Sequence, residues 1–173
     1  MVPRMGVLDR WRFCPICGEA IEKIEGRAEC AVCGYIGYAN AVPGTEAVCF
    51  DEHGRVLLGR RAFDPAEGRW DLPGGFLHED EHPLDGLRRE VREETALEIE
   101  PLDFLGFWLE PYDGRIVLCI AWTARATGVG RPGDDLLELH WFAPDELPGP
   151  SDLAFAHYPG VLSAALGTRY EHA

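Results

Sequence analysis

Beyond residue 42 the chain alternates short apolar, β-prone runs with turn residues. Thr45 to Phe50 reads as a strand, Asp51-Glu52-His53-Gly54 as a turn and Val56 to Arg60 as a second strand. Gly68 to Gly75 reads as a short strand running into a glycine-rich loop. The period then changes. Leu84, Leu87 and Val91 recur at helical spacing and Pro83 fits a first helical turn, which predicts a helix over Pro83 to Ala96. Glu98 to Leu109 and Ile116 to Thr127 read as strands around a turn at Pro111-Tyr112-Asp113-Gly114, a hairpin pattern. Gly128 to Asp135 is a loop and Leu136 to Phe142 another strand. Ser151 to Leu166 suits a closing helix capped by Ser151, although Pro159-Gly160 argues for a break or a late start. No internal repeat interrupts this order.

Length and composition narrow the class. A chain of 173 residues, 46% hydrophobic and 27% charged, suits one globular domain, or one domain plus a small appendage. It has no apolar run long enough to span a membrane. Met1 to Arg12 carries three arginines and no apolar h-region, so no signal peptide is expected and the cytoplasm is the default location. The net charge of −14 is unevenly spread. Met1 to Ala41 has five basic and five acidic residues, so the excess negative charge lies entirely from Val42 onward. Such a surface repels nucleic-acid backbones, so general DNA or RNA coating is a poor expectation. An acidic protein that acts on phosphates needs local positive charge, which a divalent metal can supply.

The neutral segment holds four of the six cysteines, as Cys14-Pro-Ile-Cys17 and Cys30-Ala-Val-Cys33, each pair followed by glycine. A two-residue gap lets both thiolates of a pair face one ion, and the glycine tolerates the positive φ of such a knuckle. Two pairs predict a tetrahedral structural Zn²⁺ site of Cys14, Cys17, Cys30 and Cys33 with no position open to water. Redox-active or disulfide pairing is the alternative, disfavoured in a reducing cytoplasm. So short a segment buries little apolar surface, and the metal is expected to hold it together. The segment resembles a zinc ribbon, over residues 11–40, with a second domain over 42–170. Cys49 and Cys119 sit in apolar runs and read as core residues.

The predicted helix carries an acidic cluster. At 100° per residue, Glu90, Glu93 and Glu94 fall within an arc of about 100° beside the apolar stripe. Like charges at these spacings are unfavourable by roughly 0.2–0.5 kcal/mol per pair, so helix stability does not call for them. Two readings stay open on charge pattern alone. One is a solvated face with partners such as Arg89 and Glu93. The other is a site for a hard cation, Mg²⁺ or Mn²⁺, which selects clustered oxygen ligands.

The spacing Gly75-x5-Glu81-x7-Arg89-Glu90-Val91-x-Glu93-Glu94-x-x-Leu97 resembles the signature box of the Nudix hydrolases. It departs at Ala96, where the family usually has a glycine suited to a left-handed helix stop. Gly68-Arg69-Trp70-Asp71-Leu72-Pro73 before the box, and Trp141-Phe142 with Asp145-Glu146-Leu147 after it, are similar to the family's flanking elements. The resemblance implies an α+β protein with the Nudix fold, an α/β/α sandwich around a mixed β-sheet. A four-cysteine ribbon in front of it resembles the NADH pyrophosphatase branch and related zinc-ribbon members.

That likeness also implies roles. Glu90, Glu93 and Glu94 would bind Mg²⁺ or Mn²⁺, joined by the Gly75 carbonyl, with Glu81 supporting them through Arg89. The general base is expected at Glu138, with Asp134, Asp135 and Glu94 as alternatives. Arg60, Arg61 and Tyr112 are candidates for substrate contact. Phe107, Trp108 and Phe155 are candidates for stacking a base, and core packing is the commoner fate of such residues. His78 and His157 show no paired metal spacing. The implied reaction is attack of water on a nucleoside diphosphate linked to a second group. The NADH pyrophosphatases' Ser-Gln-Pro-Trp motif is missing from Phe107 to Gly114, which argues against NADH. Pro111 and Tyr112, fourteen and fifteen residues past Leu97, resemble the proline of ADP-ribose pyrophosphatases and the tyrosine of dinucleoside-polyphosphate hydrolases, and an ADP-ribose-like substrate is the preferred expectation. A nucleotide-sensing regulator that does not cleave, and a ribbon serving protein contacts, are the readings from other classes. Homodimerisation through the ribbon is a further implication of the resemblance.

Overall fold

The computed structural model describes residues 7–133 and 135–167. Two compact units are present. One takes in the chain up to Val42 together with Pro111–Ile116, the other Pro43–Glu110 and the chain from Val117.

In the N-terminal unit, a 3₁₀ turn over Val7–Arg10 precedes β1 (Glu22–Ile24), β2 (Arg27–Glu29) and β3 (Ile36–Tyr38), which form an antiparallel sheet in that order. Strands of three residues bury almost nothing. The buried hydrophobic residues described here are Leu8, Cys14, Ala28 and Cys30, half of them cysteines, while Phe13, Ile16, Val32 and Ile36 stay exposed. Apolar burial on this scale does not hold a sheet of this size together.

The larger unit is built on a mixed seven-stranded sheet. Its path runs β10 (Leu136–Phe142), β5 (Val56–Arg61), β4 (Val42–Phe50), β9 (Arg115–Thr127) and β8 (Glu98–Tyr112). Two short strands lie off this path: β6 (Trp70–Asp71) pairs with β5, and β7 (Gly74–Phe76) with β4. The stretch from Gly68 to Gly75 is therefore two strands separated by Leu72-Pro73, because its two ends pair with different neighbours. Strand β4 is buried on both faces. Ala47 and Cys49 join Leu57, Leu87, Val91, Leu97 and Ile99 in the core under helix α1 (Pro83–Thr95). Val48 joins Val56, Leu58, Leu72, Ala121 and Leu153 under helix α2 (Tyr158–Leu166). The two helices thus cover opposite faces, and each fully buried Leu or Val contributes roughly 1.5–3 kcal/mol. Among the described residues no helix is long and apolar enough to cross a membrane.

Two boundaries differ from expectation. The hairpin turn is Asp113-Gly114, both with positive φ (44° and 74°), so β8 continues through Pro111 to Tyr112. Such a two-residue turn matches the twist of the strands it joins. Helix α2 starts at Tyr158 with His157 in the N-cap position and makes no side-chain cap bond, so Ser151 caps nothing. Pro159 fits only the first turn of a helix, and that fixes the late start.

Candidate metal-binding active site

Helix α1 starts after Pro-compatible His82, whose Nδ1 accepts from the Leu84 N–H at 3.3 Å. It ends at Ala96, which adopts the left-handed conformation (φ 59°, ψ 14°) that glycine takes most easily. The last turn is also held from outside. Arg131 N–H donates to the Thr95 carbonyl at 2.8 Å and Gly133 N–H to the Glu94 carbonyl at 2.7 Å. These amides satisfy carbonyls that a helix end otherwise leaves open.

Two glycines bring backbone up to the acidic face. A Cβ on Gly74 would lie 2.2 Å from the Thr45 carbonyl oxygen, and one on Gly75 would lie 2.5 Å from the Glu90 carboxylate. Only glycine fits at 74, where the obstacle is backbone, and a side chain at 75 would push the Glu90 carboxylate aside. Gly74 N–H donates to Glu94 Oε2 at 2.9 Å, which fixes that carboxylate against the loop. Burial, followed by the nearby charges of Asp71, Glu90 and Asp135, pushes the Glu94 carboxyl up to about 8, with the Gly74 bond opposing.

Arg89 organises the rest. Its Nε and Nη2 grip the two oxygens of Glu81 at 2.8 and 2.7 Å, its Nη1 reaches Glu90 at 2.7 Å and Glu93 at 3.2 Å, and Nη2 also donates to the Phe76 carbonyl. Arg89 above all holds the Glu81 carboxyl down at about 2. Gly86 leaves room for this clamp, since a Cβ there would lie 2.8 Å from a Glu81 oxygen. One guanidinium thus fixes three carboxylates in place.

The other sequence candidates lie apart from this cluster or have partners of their own. Glu138 sits on β10 opposite Arg60 of β5 and pairs with its Nη1 at 3.0 Å, half-exposed. Arg60 also donates to the Gly68 carbonyl and lies over the Trp70 ring. Arg61 pairs with Asp71, donates to the Pro65 carbonyl and lies over Phe155. Asp135 precedes β10 and contributes to the field at Glu94, while Asp134 lies outside the described residues. Tyr112 ends β8 in the unit that contains the cysteines. Trp108 and Phe155 pack against the α2-side core, and Phe107 is exposed beside Phe104. His78 meets Glu81 through its backbone N–H.

The four cysteines form one cluster with every sulfur within 4.8 Å of the others. Cys14 and Cys33 sulfurs are 3.6 Å apart, Cys17 and Cys30 3.5 Å, and all are free thiols. Both knuckle glycines have positive φ (78° and 75°), and their N–H groups return to the carbonyls of Cys14 and Cys30. The donor set is compatible with a zinc ribbon.

A second polar group was invisible in the sequence. His157 lies between Glu46 and Glu110, with Asp71, Arg61 and Tyr158 joined by hydrogen bonds nearby. Glu46 and His157 are 111 positions apart, so no spacing rule links them. The only local sign was a charged residue at 46 inside an otherwise apolar strand.

Comparison with known proteins follows the same lines. The NUDIX domain family matches this chain over residues 41–162. A MutT-like protein of Streptomyces ambofaciens is 38% identical over 96 residues, 56% of this chain and 60% of the relative. An NAD-capped RNA hydrolase NudC of Pseudomonas putida is 27% identical over 150 residues, 85% of this chain and 54% of the relative. The chain therefore spans little more than half the length of these curated relatives. A crystal structure of a NUDIX hydrolase from Nitrosomonas europaea superposes with a TM-score of 0.75 at 26% identity, covering 94% of this chain and 97% of the other.

Proposed function

Given that the chain belongs to the Nudix family, we propose that it is a metal-dependent pyrophosphohydrolase. Its substrate would be a nucleoside diphosphate linked to a second group, ADP-ribose-like in our reading. The products would be a nucleoside monophosphate and the phosphorylated second group.

The observation that carries this reading is one helix bearing Glu90, Glu93 and Glu94 beside a glycine loop, with Gly75 close against the Glu90 carboxylate and Gly74 bonded to Glu94. All donors there are oxygens, which suits Mg²⁺ or Mn²⁺ held by these three carboxylates and the Gly75 carbonyl. A divalent ion so held would lower the pKa of water and neutralise diphosphate charge. The chain's own residues supply the positioning. Arg89 locks Glu81, Glu90 and Glu93, and Gly74 anchors Glu94. Glu138 is our candidate for the base that accepts the water's proton, and the burial of Glu94 makes it the alternative. Arg60, paired with Glu138, is the candidate for phosphate contact. In the N-terminal unit, Cys14, Cys17, Cys30 and Cys33 would hold a structural Zn²⁺, since little else is buried there.

The Pseudomonas putida relative, an NAD-capped RNA hydrolase, points to related chemistry on nucleotide-type molecules. The test is a panel of ADP-ribose, NADH, a diadenosine polyphosphate and nucleoside triphosphates with Mg²⁺, read as release of AMP or phosphate. Turnover of at least one diphosphate, abolished by a chelator, is the expected result. Tight nucleotide binding without cleavage of any of them would favour a sensing role instead.

A further inference from the structure

We propose that Glu46, Cys119 and His157 form a second transition-metal site, separate from the carboxylates on α1 and suited to Zn²⁺. The three come from different elements: Glu46 from β4, Cys119 from β9 and His157 from the residue before α2. One oxygen, the sulfur and one ring nitrogen all lie within 4.8 Å of one another. His157 Nε2 is 3.0 Å from both oxygens of Glu46. All three residues are buried, with exposures of 6%, 7% and 9%.

The position within the sheet makes this cluster unexpected as packing. Glu46 shares the strand face of Val48, and Cys119 that of Ala121, both in the apolar core under α2. Buried ionic groups in such a place are often replaceable by hydrophobic residues without loss of stability, so packing alone does not call for them. An ion pair between His157 and Glu46, with the Cys119 thiol hydrogen-bonded to both, is the metal-free alternative. A cation accounts for all three. Nitrogen, sulfur and oxygen together suit Zn²⁺, whereas Mg²⁺ takes oxygen ligands and is poorly matched. Tetrahedral Zn²⁺ spaces its ligand atoms on the order of 3.5 Å apart, so the His157–Glu46 contact at 3.0 Å would open by about half an ångström.

A fourth residue completes the pattern. Glu110 Oε2 lies 2.8 Å from His157 Nδ1. A carboxylate on the far nitrogen is the usual outer partner of a metal-bound histidine: it sets the tautomer and aims the other nitrogen at the ion. Three protein ligands would leave one position open. The ion would join β4, β9 and α2 directly, and β8 through Glu110. It would also fix Glu46, whose backbone pairs with Gly74, the residue that anchors Glu94.

The test uses the full chain crystallised with Zn²⁺, with anomalous diffraction collected at the zinc edge and zinc content measured after dialysis. Two separate peaks are expected, one among Cys14, Cys17, Cys30 and Cys33 and one among Glu46, Cys119 and His157. The variant Cys119→Ser is expected to lose one zinc equivalent per chain while the ribbon peak persists. The wild-type map needs no variant to fold. Density at the ribbon with none among Glu46, Cys119 and His157 overturns the proposal, as does a second zinc seated elsewhere.

Discussion

Arg89 holds Glu81 through two parallel hydrogen bonds, Nε to Oε1 at 2.8 Å and Nη2 to Oε2 at 2.7 Å. This fork is what sets the rotamer of the arginine, and with it the angle at which the third nitrogen meets Glu90 and Glu93. A lysine carries the same charge but cannot make the fork. Arg89→Lys is therefore expected to reduce turnover by about 10–100-fold, the usual range for an outer partner of a metal site. Steady-state rates at saturating Mg²⁺ check this; wild-type rates would mean that the clamp is dispensable.

The same pair gives a pH signature. Glu81 is held at about 2, against an ordinary 4.5, chiefly by Arg89. A carboxyl lowered on folding adds stability above its unfolded value and loses it as pH falls through the folded one. Glu81→Gln should therefore be less stable than wild type at pH 6, with the gap shrinking between about pH 4.5 and 2. Denaturant titrations across that window measure it. A gap that is constant with pH would show that charge is not its source.

Glu93→Gln with Glu94→Gln removes the negative charge of two of the proposed ligands while keeping shape. Turnover should fall below detection, and circular dichroism should be unchanged. Calorimetry should also show weaker Mg²⁺ uptake. Retained activity would contradict the ligand assignment.

At Ala96 the chain holds an alanine in a left-handed conformation, unfavourable by about 1 kcal/mol. Ala96→Gly should relieve most of that and raise Tm by about 2–4 °C in a chain of this size. A lower Tm would show that the flanking contacts already remove the strain.

The helix and strands were legible wherever burial imposes a period. Strand β10 follows the expected bounds, and α1 ends one residue early, because Leu87 and Val91 must face the core, while Leu84 of the same stripe is only partly buried. The spacing of Glu90, Glu93 and Glu94 translates directly into position, since a helix turns spacing into angle. Boundaries set by pairing partners were harder. Nothing in Pro111 says that β8 continues past it, and nothing between Gly68 and Gly75 says that two strands divide the stretch. The Glu46–His157–Glu110 cluster lay beyond reach altogether. Its members are ordinary residues in separate elements, and only the sheet order brings them together. Cys119, read as core from its apolar run, is indeed buried, but beside polar neighbours.

The segment after β9 is more than a connection. Because the amides of Arg131 and Gly133 close the end of α1, its length and bend help to decide where the Glu94 side chain starts. An added Cβ at Gly133 would sit 2.5 Å from the Glu93 carbonyl oxygen. Anyone transplanting the acidic box into another scaffold would have to carry this stretch along with it, and anyone retuning the proposed activity could begin there without touching a single carboxylate.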